Sequence, residues 1–131
     1  MADEILVDTS AWIQLFRDGE GPAADVVRVL LENEGAVITG LVAAELLRGA
    51  RQAKEQRALD DLFSIVRWID IDRRTFLEAG RLGHGLAASG LTIPTVDLVL
   101  AQAAINQGLA VLTLDKHFLQ IAKHAPLNLV L

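Results

Sequence analysis

The sequence contains no cysteine, and it is poor in proline and in aromatic residues. Without cysteine the chain can form neither disulfides nor thiolate metal sites, and it is compatible with the cytoplasm, where we expect it to reside. It also lacks an apolar run of the roughly 20 residues that a membrane span needs. The most apolar stretch, residues 94–105, already contains Asp97. The acidic N-terminus does not predict a signal peptide, and we expect no membrane association.

The sequence also lacks an excess of basic residues over acidic ones. The formal net charge is −5, whereas a protein that coats nucleic acid is normally basic. This charge does not exclude an enzyme that binds a phosphodiester through metal ions, because the ions supply the positive charge locally.

The length and composition predict one globular domain over residues 1–131. Hydrophobic residues make up 52% of the 131 residues and charged residues 22%, which is typical of a chain with a real core and not of a disordered one. The apolar content is high for such a protein. The excess could form a subunit interface, so we expect a homo-oligomer.

Short β-like runs alternate with helical patterns along the whole chain. Strands are predicted at residues 4–7, 36–39, 66–69 (or to 71), 110–114 and 127–131. Helices are predicted at residues 9–17, 22–34, 41–47, 52–63, 73–88, 94–106 and 116–123. Strands separated by helices imply right-handed crossovers and a parallel sheet covered on both faces, so the fold class is α/β.

Four acidic residues stand in apolar surroundings where a solvated acid is not expected. Asp8 and Asp115 each follow a predicted strand, and the carboxyl ends of parallel strands form the ligand-binding edge of an open sheet. Glu45 is the one charge in the predicted helix 41–47, and Asp97 lies in the first turn of the most apolar helix. The starts of these helices can reach the same edge, so we expect the four carboxylates to converge.

Converging carboxylates repel each other and cost several kcal/mol when they are buried without a partner. Basic neighbours or a divalent cation can relieve that cost, and no lysine or arginine stands within three residues of Asp97. Oxygen ligands suit Mg²⁺ or Mn²⁺ better than Zn²⁺. Such a cation polarises a phosphoryl oxygen and activates water for in-line attack.

Each acid also has a purely structural interpretation. Asp8 could cap the helix that follows it, and Asp115 could be a turn residue. Asp97 could favour the helix dipole, and Glu45 could pair with Arg48 one turn later. The four together are less easily explained in this way than any one of them.

Four segments resemble the sequence motifs of PIN-domain nucleases, in particular the VapC toxins of VapBC toxin–antitoxin pairs. In order along the chain they are residues 5–12 (ILVDTSAW), 38–46 (ITGLVAAEL), 97–104 (DLVLAQAA) and 112–118 (LTLDKHF). Any one of these motifs is weak evidence. The four occur in the expected order and cover nearly the whole chain, which is strong evidence.

The resemblance implies more than the residues show by themselves. It implies a three-layer α/β/α sandwich with a central parallel sheet of four to five strands, and an endoribonuclease that uses Mg²⁺ or Mn²⁺. It also implies a homodimer that is blocked by a cognate antitoxin, whose tail commonly offers an arginine to the acidic pocket. The catalytic and metal-binding acids are then Asp8, Glu45, Asp97 and Asp115. Thr9 and Thr113 become hydroxyls that could orient metal-activated water or a carboxylate.

The chain departs from the pattern at His117, where many relatives carry a further acid, and this leaves open whether one or two metals are bound. A surface role or an RNA phosphate contact is the favoured interpretation of His117, and metal binding is the alternative. Arg48 and Arg51 begin a loose basic stripe that could also contact RNA phosphates. Neighbouring acids favour a solvated helix face there.

Three other functions remain as alternatives. A PIN nuclease of RNA processing outside a toxin system is the nearest, and a gene for a small antitoxin beside this one would distinguish the two. A non-catalytic PIN-like binding module would not need four acids. A phosphatase or receiver domain is disfavoured because Thr9, not a second acid, follows Asp8.

Overall fold

A five-stranded, all-parallel sheet forms the centre of the molecule, in the order β3-β2-β1-β4-β5. The structure is a computed structural model that describes residues 3–130. The strands are β1 (Ile5–Val7), β2 (Ala36–Ile38), β3 (Arg67–Trp68), β4 (Ala110–Leu112) and β5 (Leu129–Val130). In the centre of the sheet, Leu6 pairs with Val37 of β2 and with Val111 of β4.

Seven α-helices flank this sheet within residues 3–130. They are α1 (Thr9–Ile13), α2 (Pro22–Glu32), α3 (Gly40–Gly49), α4 (Ala53–Ile65), α5 (Arg73–Ala88), α6 (Thr95–Gln107) and α7 (Lys116–Ala122). A π-helical segment, Gln14–Asp18, continues α1 and ends at Gly19 with a φ of 69°. No helix in this described part is both long and apolar enough to cross a membrane.

The central strands are buried on both faces. Leu6 and Val7 are consecutive residues of β1 and point to opposite faces of the sheet, yet both are fully buried. The same holds for Val37 and Ile38 of β2 and for Val111 and Leu112 of β4. Helices therefore cover both faces, which confirms the predicted α/β class and its layered architecture.

Several strands end earlier than the sequence pattern predicts. Thr39 leaves β2 and caps α3, since its hydroxyl accepts a hydrogen bond from the backbone N–H of Val42. Thr113 and Leu114 leave β4 and bond to residues at the edge of the sheet. The last predicted strand shortens to β5, and its final residue, Leu131, lies outside the described residues.

Candidate metal centre

The four predicted acids stand where strands end or helices begin. Asp8 directly follows β1 and is buried, while Asp115 lies three residues beyond β4 and begins α7 as its N-cap. Asp97 is in the first turn of α6 and Glu45 is in the middle of α3. Asp97 and Asp115 are half-buried and Glu45 is exposed.

Two hydroxyl groups hold the Asp8 carboxylate. Ser10 Oγ and Thr113 Oγ1 both donate to Asp8 Oδ2, each at 2.8 Å. Asp8 makes no side-chain capping bond to α1, so it is not simply a helix cap. The second oxygen, Oδ1, has no hydrogen-bond partner among residues 3–130, which leaves it available to a ligand.

Thr113 connects Asp8 to Asp115. Its hydroxyl donates to Asp8 and accepts a hydrogen bond from the backbone N–H of Asp115 at 2.9 Å. Ser10 strengthens this link, because its Oγ accepts from the N–H of Leu114 and lies 3.3 Å from Thr113 Oγ1. Thr113 was among the predicted supporting residues and Ser10 was not. The sequence signals for Ser10 are its place in the first motif, residues 5–12, and a hydroxyl two positions after an acid at a strand end.

His117 lies between Asp97 and Asp115. Its Nδ1 is 2.9 Å from Asp97 Oδ2 and 3.2 Å from Asp115 Oδ1. The start of α7 fixes this position, since the backbone N–H of His117 donates to Asp115 Oδ1 at 2.9 Å. One ligand atom from each of the three residues lies within 4.8 Å of the others. His117 therefore contacts the acidic cluster, a position that the favoured interpretation from sequence did not anticipate.

The environment disfavours a charge on Asp97. Burial raises the pKa of its carboxyl group above the ordinary value, and the hydrogen bond from His117 opposes that rise. The nearby charges of Asp115 and Asp8 raise the pKa further. These two repulsions also indicate that the three aspartates lie close enough to interact.

Glu45 lies outside the group formed by Asp97, Asp115 and His117, and it is linked only indirectly to Asp8. Thr9 Oγ1 donates to Glu45 Oε1 at 2.8 Å, which connects α3 to the residue directly after Asp8. Among residues 3–130 Glu45 forms no ion pair, so the alternative pairing with Arg48 does not occur. Thr9 therefore positions Glu45 as Thr113 positions Asp8.

The basic side chains predicted to contact RNA lie on the surface beyond this cluster. Arg48 is exposed in the last turn of α3, and Arg51 is exposed just before α4. In the described part of the chain neither side chain pairs with an acid. Their contact with RNA stays a prediction.

The residues present fit a divalent cation. Within residues 3–130 no lysine or arginine forms an ion pair with Asp8, Glu45, Asp97 or Asp115, and only the imidazole of His117 offsets part of the repulsion at Asp97. Carboxylate oxygens with one imidazole are a donor set that divalent first-row metals and Mg²⁺ accept.

Comparison with known proteins is consistent with this geometry. The PIN domain family model matches residues 5–124. Ribonuclease VapC11 of Mycobacterium tuberculosis is 32% identical over 91% of this chain and 92% of its own length. Ribonuclease VapC19 of the same species is 36% identical over 86% of this chain and 90% of its own length.

Solved structures show the same fold. VapBC2 from Rickettsia felis, bound to a DNA fragment from its promoter, superposes with a TM-score of 0.79 at 23% sequence identity and covers 96% of both chains. Together with the family match and the two relatives above 30% identity, this agreement is decisive. The chain belongs to the PIN-domain family and, within it, to the VapC ribonucleases.

Proposed function

We propose that this protein is a divalent-metal-dependent endoribonuclease whose metal site is built by Asp8, Asp97 and Asp115, with Glu45 beside it. The observation that carries the proposal is the convergence of Asp97, Asp115 and His117, with Asp8 tied to the same cluster through Thr113. The relatives' names as ribonucleases supply the substrate class.

The chain's own residues orient the acids before any ligand arrives. Ser10 and Thr113 engage one oxygen of Asp8 and leave Oδ1 for the cation. Asp115 is fixed by the N–H of His117, and Glu45 is fixed through Oε1 by Thr9. When bound, Mg²⁺ or Mn²⁺ supplies positive charge that polarises a phosphodiester and makes water a better nucleophile near neutral pH.

Glu45 is suited to a different task from the aspartates. It is exposed, and Thr9 engages only its Oε1. Its Oε2 can therefore accept a proton from an attacking water, which would be general-base catalysis. Arg48 is exposed one helical turn beyond Glu45 on α3, and in this proposal it binds an RNA phosphate. Arg51 and the outer edge of His117 extend the proposed phosphate contacts.

The test is RNA cleavage by the purified protein with mixed cellular RNA. We expect discrete fragments with Mg²⁺ or Mn²⁺ and none with EDTA, and an Asp8→Asn variant should leave the RNA intact in both. Asp70→Asn is the matched control, because Asp70 is an exposed acid two residues beyond β3 and forms no ion pair within residues 3–130. Cleavage that persists in EDTA, or in Asp8→Asn, would contradict the proposal.

We also propose that the protein is the toxin of a toxin–antitoxin pair and forms a homodimer. VapBC-5 from Mycobacterium tuberculosis, a member of the VapBC family of toxin–antitoxin systems, and a toxin–antitoxin complex from Klebsiella pneumoniae share this fold. Because no lysine or arginine within residues 3–130 pairs with its acids, the cluster is suited to receive an arginine from an antitoxin tail.

Growth of a bacterial host tests the toxin proposal. Induced expression should arrest growth, Asp8→Asn should relieve the arrest, and co-expression of the protein encoded beside this gene should do the same. If neither the parent protein nor Asp8→Asn arrests growth, but the parent cleaves RNA in vitro, a nuclease of RNA processing is favoured.

A further inference from the structure

The ring of His117 stands at the point where two site carboxylates converge. Its Nδ1 contacts Asp97 Oδ2 and Asp115 Oδ1, at 2.9 and 3.2 Å. The ring is 30% exposed, and its Nε2 has no hydrogen-bond partner in the described part of the chain. When Nδ1 carries the proton it donates to Asp97, as described above. When the proton is on Nε2 instead, the lone pair of Nδ1 faces the same space as the two carboxylate oxygens.

These spacings match neighbouring ligands around one ion. Adjacent corners of an octahedron with bonds near 2.1 Å are about 3 Å apart. Both distances from Nδ1 are close to that value. The imidazole nitrogen thus already lies at a ligand-to-ligand distance from one oxygen of each carboxylate.

The local structure holds His117 in place independently of its ring. The backbone N–H of His117 is bonded to Asp115 as part of the N-terminal cap of α7. The next residue, Phe118, is fully buried and anchors the same turn in the core. The backbone that carries the imidazole is therefore held in one position. This lowers the conformational entropy that is lost when a metal binds.

We propose that His117 Nδ1 is a ligand of the cation held by Asp97 and Asp115, and that it makes the site select Mn²⁺ over Mg²⁺. The inference rests on the proposed function, since it concerns the same cation. Imidazole nitrogen suits first-row transition metals, whereas Mg²⁺ favours oxygen and gives up its water reluctantly. A site of carboxylates alone would discriminate less between the two ions.

The decisive readout is nitrogen coordination of bound Mn²⁺, measured by pulsed EPR on protein without a histidine tag. The chain has three histidines, and His84 and His124 are both exposed and lie away from the acids in sequence. His84→Ala and His124→Ala are therefore matched controls for His117→Ala. His117→Asp is a second variant, because it keeps a ligand but replaces nitrogen with oxygen.

We expect a ¹⁴N coupling to Mn²⁺ in the parent protein and both controls, and its loss in His117→Ala and His117→Asp. Calorimetric titration should show a roughly 10-fold or greater loss of Mn²⁺ affinity in His117→Ala and a smaller loss for Mg²⁺. His117→Asp should bind both ions with a reduced preference for Mn²⁺. Circular dichroism confirms that each variant is folded.

Two failures can be told apart. Bound Mn²⁺ without ¹⁴N coupling, or an unchanged ratio of Mn²⁺ to Mg²⁺ affinity in His117→Ala, would overturn the role of His117 and leave the aspartate site intact. If the parent protein binds neither ion more tightly than an Asp97→Asn variant, the proposed metal site itself is wrong.

Discussion

Hydroxyl groups determine how the acids of the site face one another. Thr113 donates to Asp8 and accepts from the N–H of Asp115, so one side chain sets the relative position of two carboxylates. Ser10 and Thr9 act in the same way on Asp8 and Glu45. Charge-assisted bonds of this kind are stronger than neutral ones, and losing one leaves a carboxylate less well oriented.

Thr113→Val should lower the RNA cleavage rate about 10- to 100-fold with little change in the affinity for RNA, because the variant keeps the acids but loses their orientation. Thr113→Ser should recover most of the rate, since it keeps the hydroxyl. Single-turnover cleavage rates measure the effect, and Thr92→Val at an exposed position is the control. A Thr113→Val variant as fast as the parent would show that the hydroxyl does not orient the site.

Asp97 makes stability depend on pH in the metal-free protein. Burial raises the pKa of its carboxyl group in the folded state above the unfolded value, so the ionised form destabilises the fold. That loss is absent below the unfolded pKa and develops as the pH rises through the folded pKa. Asp97→Asn removes the charge and keeps an acceptor for His117.

In EDTA, Asp97→Asn should therefore melt roughly 2–5 °C above the parent at pH 8 and near the parent at the acid end of the range. Added Mn²⁺ should reverse the order, because only the parent gains a bound ligand. Thermal melts at several pH values check both statements, with Asp70→Asn as the control. A variant that melts below the parent at pH 8 in EDTA contradicts this account.

At the scale of single residues, the acids of the site were easier to predict from the sequence than the side chains that contact them. A charge in an apolar segment is costly to bury, and this cost made four acids identifiable: Asp8, Glu45, Asp97 and Asp115. The structure brings the three aspartates together. Their exact roles stay predictions. Ser10 gave almost no signal, since a serine at the start of a helix is common. The position of His117 depends on how α7 begins, which the sequence pattern does not specify.

Helices and strands were predictable from the sequence where the spacing of their hydrophobic residues was regular. The predicted helix at residues 73–88 matches α5 (Arg73–Ala88) at both ends, since Asp72 caps it with a bond from the N–H of Thr75. Strand ends were less predictable, because Thr39 and Thr113 continue the β-like pattern while their hydroxyls bond outside the sheet. The π-helical segment after α1 has no signature in hydrophobic spacing.

The glycines of α5 provide a matched test of how closely it packs on α6. A Cβ at Gly83 would lie 2.5 Å from Leu98 Cδ1, whereas a Cβ at Gly80 would meet nothing within 4 Å. Gly80→Ala should stabilise the protein by about 0.5–1 kcal/mol through helix propensity. Gly83→Ala should be about 1–3 kcal/mol less stable than Gly80→Ala, because Leu98 is buried and must shift.

Denaturant unfolding of the two alanine variants gives these free energies directly. The same crowding should disturb Asp97, which is the chain neighbour of Leu98, so Gly83→Ala should also bind Mn²⁺ more weakly. Equal stabilisation by both substitutions would mean that α5 and α6 do not pack closely at Gly83.

At the scale of the whole molecule, the net charge is negative, although the proposed substrate, RNA, is also negative. With a net charge of −5, long-range attraction cannot supply the affinity, so we expect the proposed cation and basic side chains near the site, such as Arg48 and Arg51, to supply it locally. The buried core runs from β1 to the segment before β5.

Several large apolar side chains are exposed to solvent, and two of them are neighbours on α5. Phe76 is 46% exposed and Leu77 is 53% exposed. If a second copy covers them, light scattering should give twice the 14.2 kDa of one chain, and Leu77→Glu should shift the protein towards monomer. Val29→Glu is the control, since Val29 on α2 is equally exposed. A monomer in the parent protein would exclude the homodimer.

If the converging acids hold a cation that supports RNA cleavage, the single-turnover cleavage rates of Asp8→Asn and Asp70→Asn must differ. With Mn²⁺ present, we expect Asp8→Asn to lose at least about 100-fold in rate, while Asp70→Asn cleaves as fast as the parent. Comparable rates in both variants would contradict this expectation, because Asp8 could then not belong to the catalytic site.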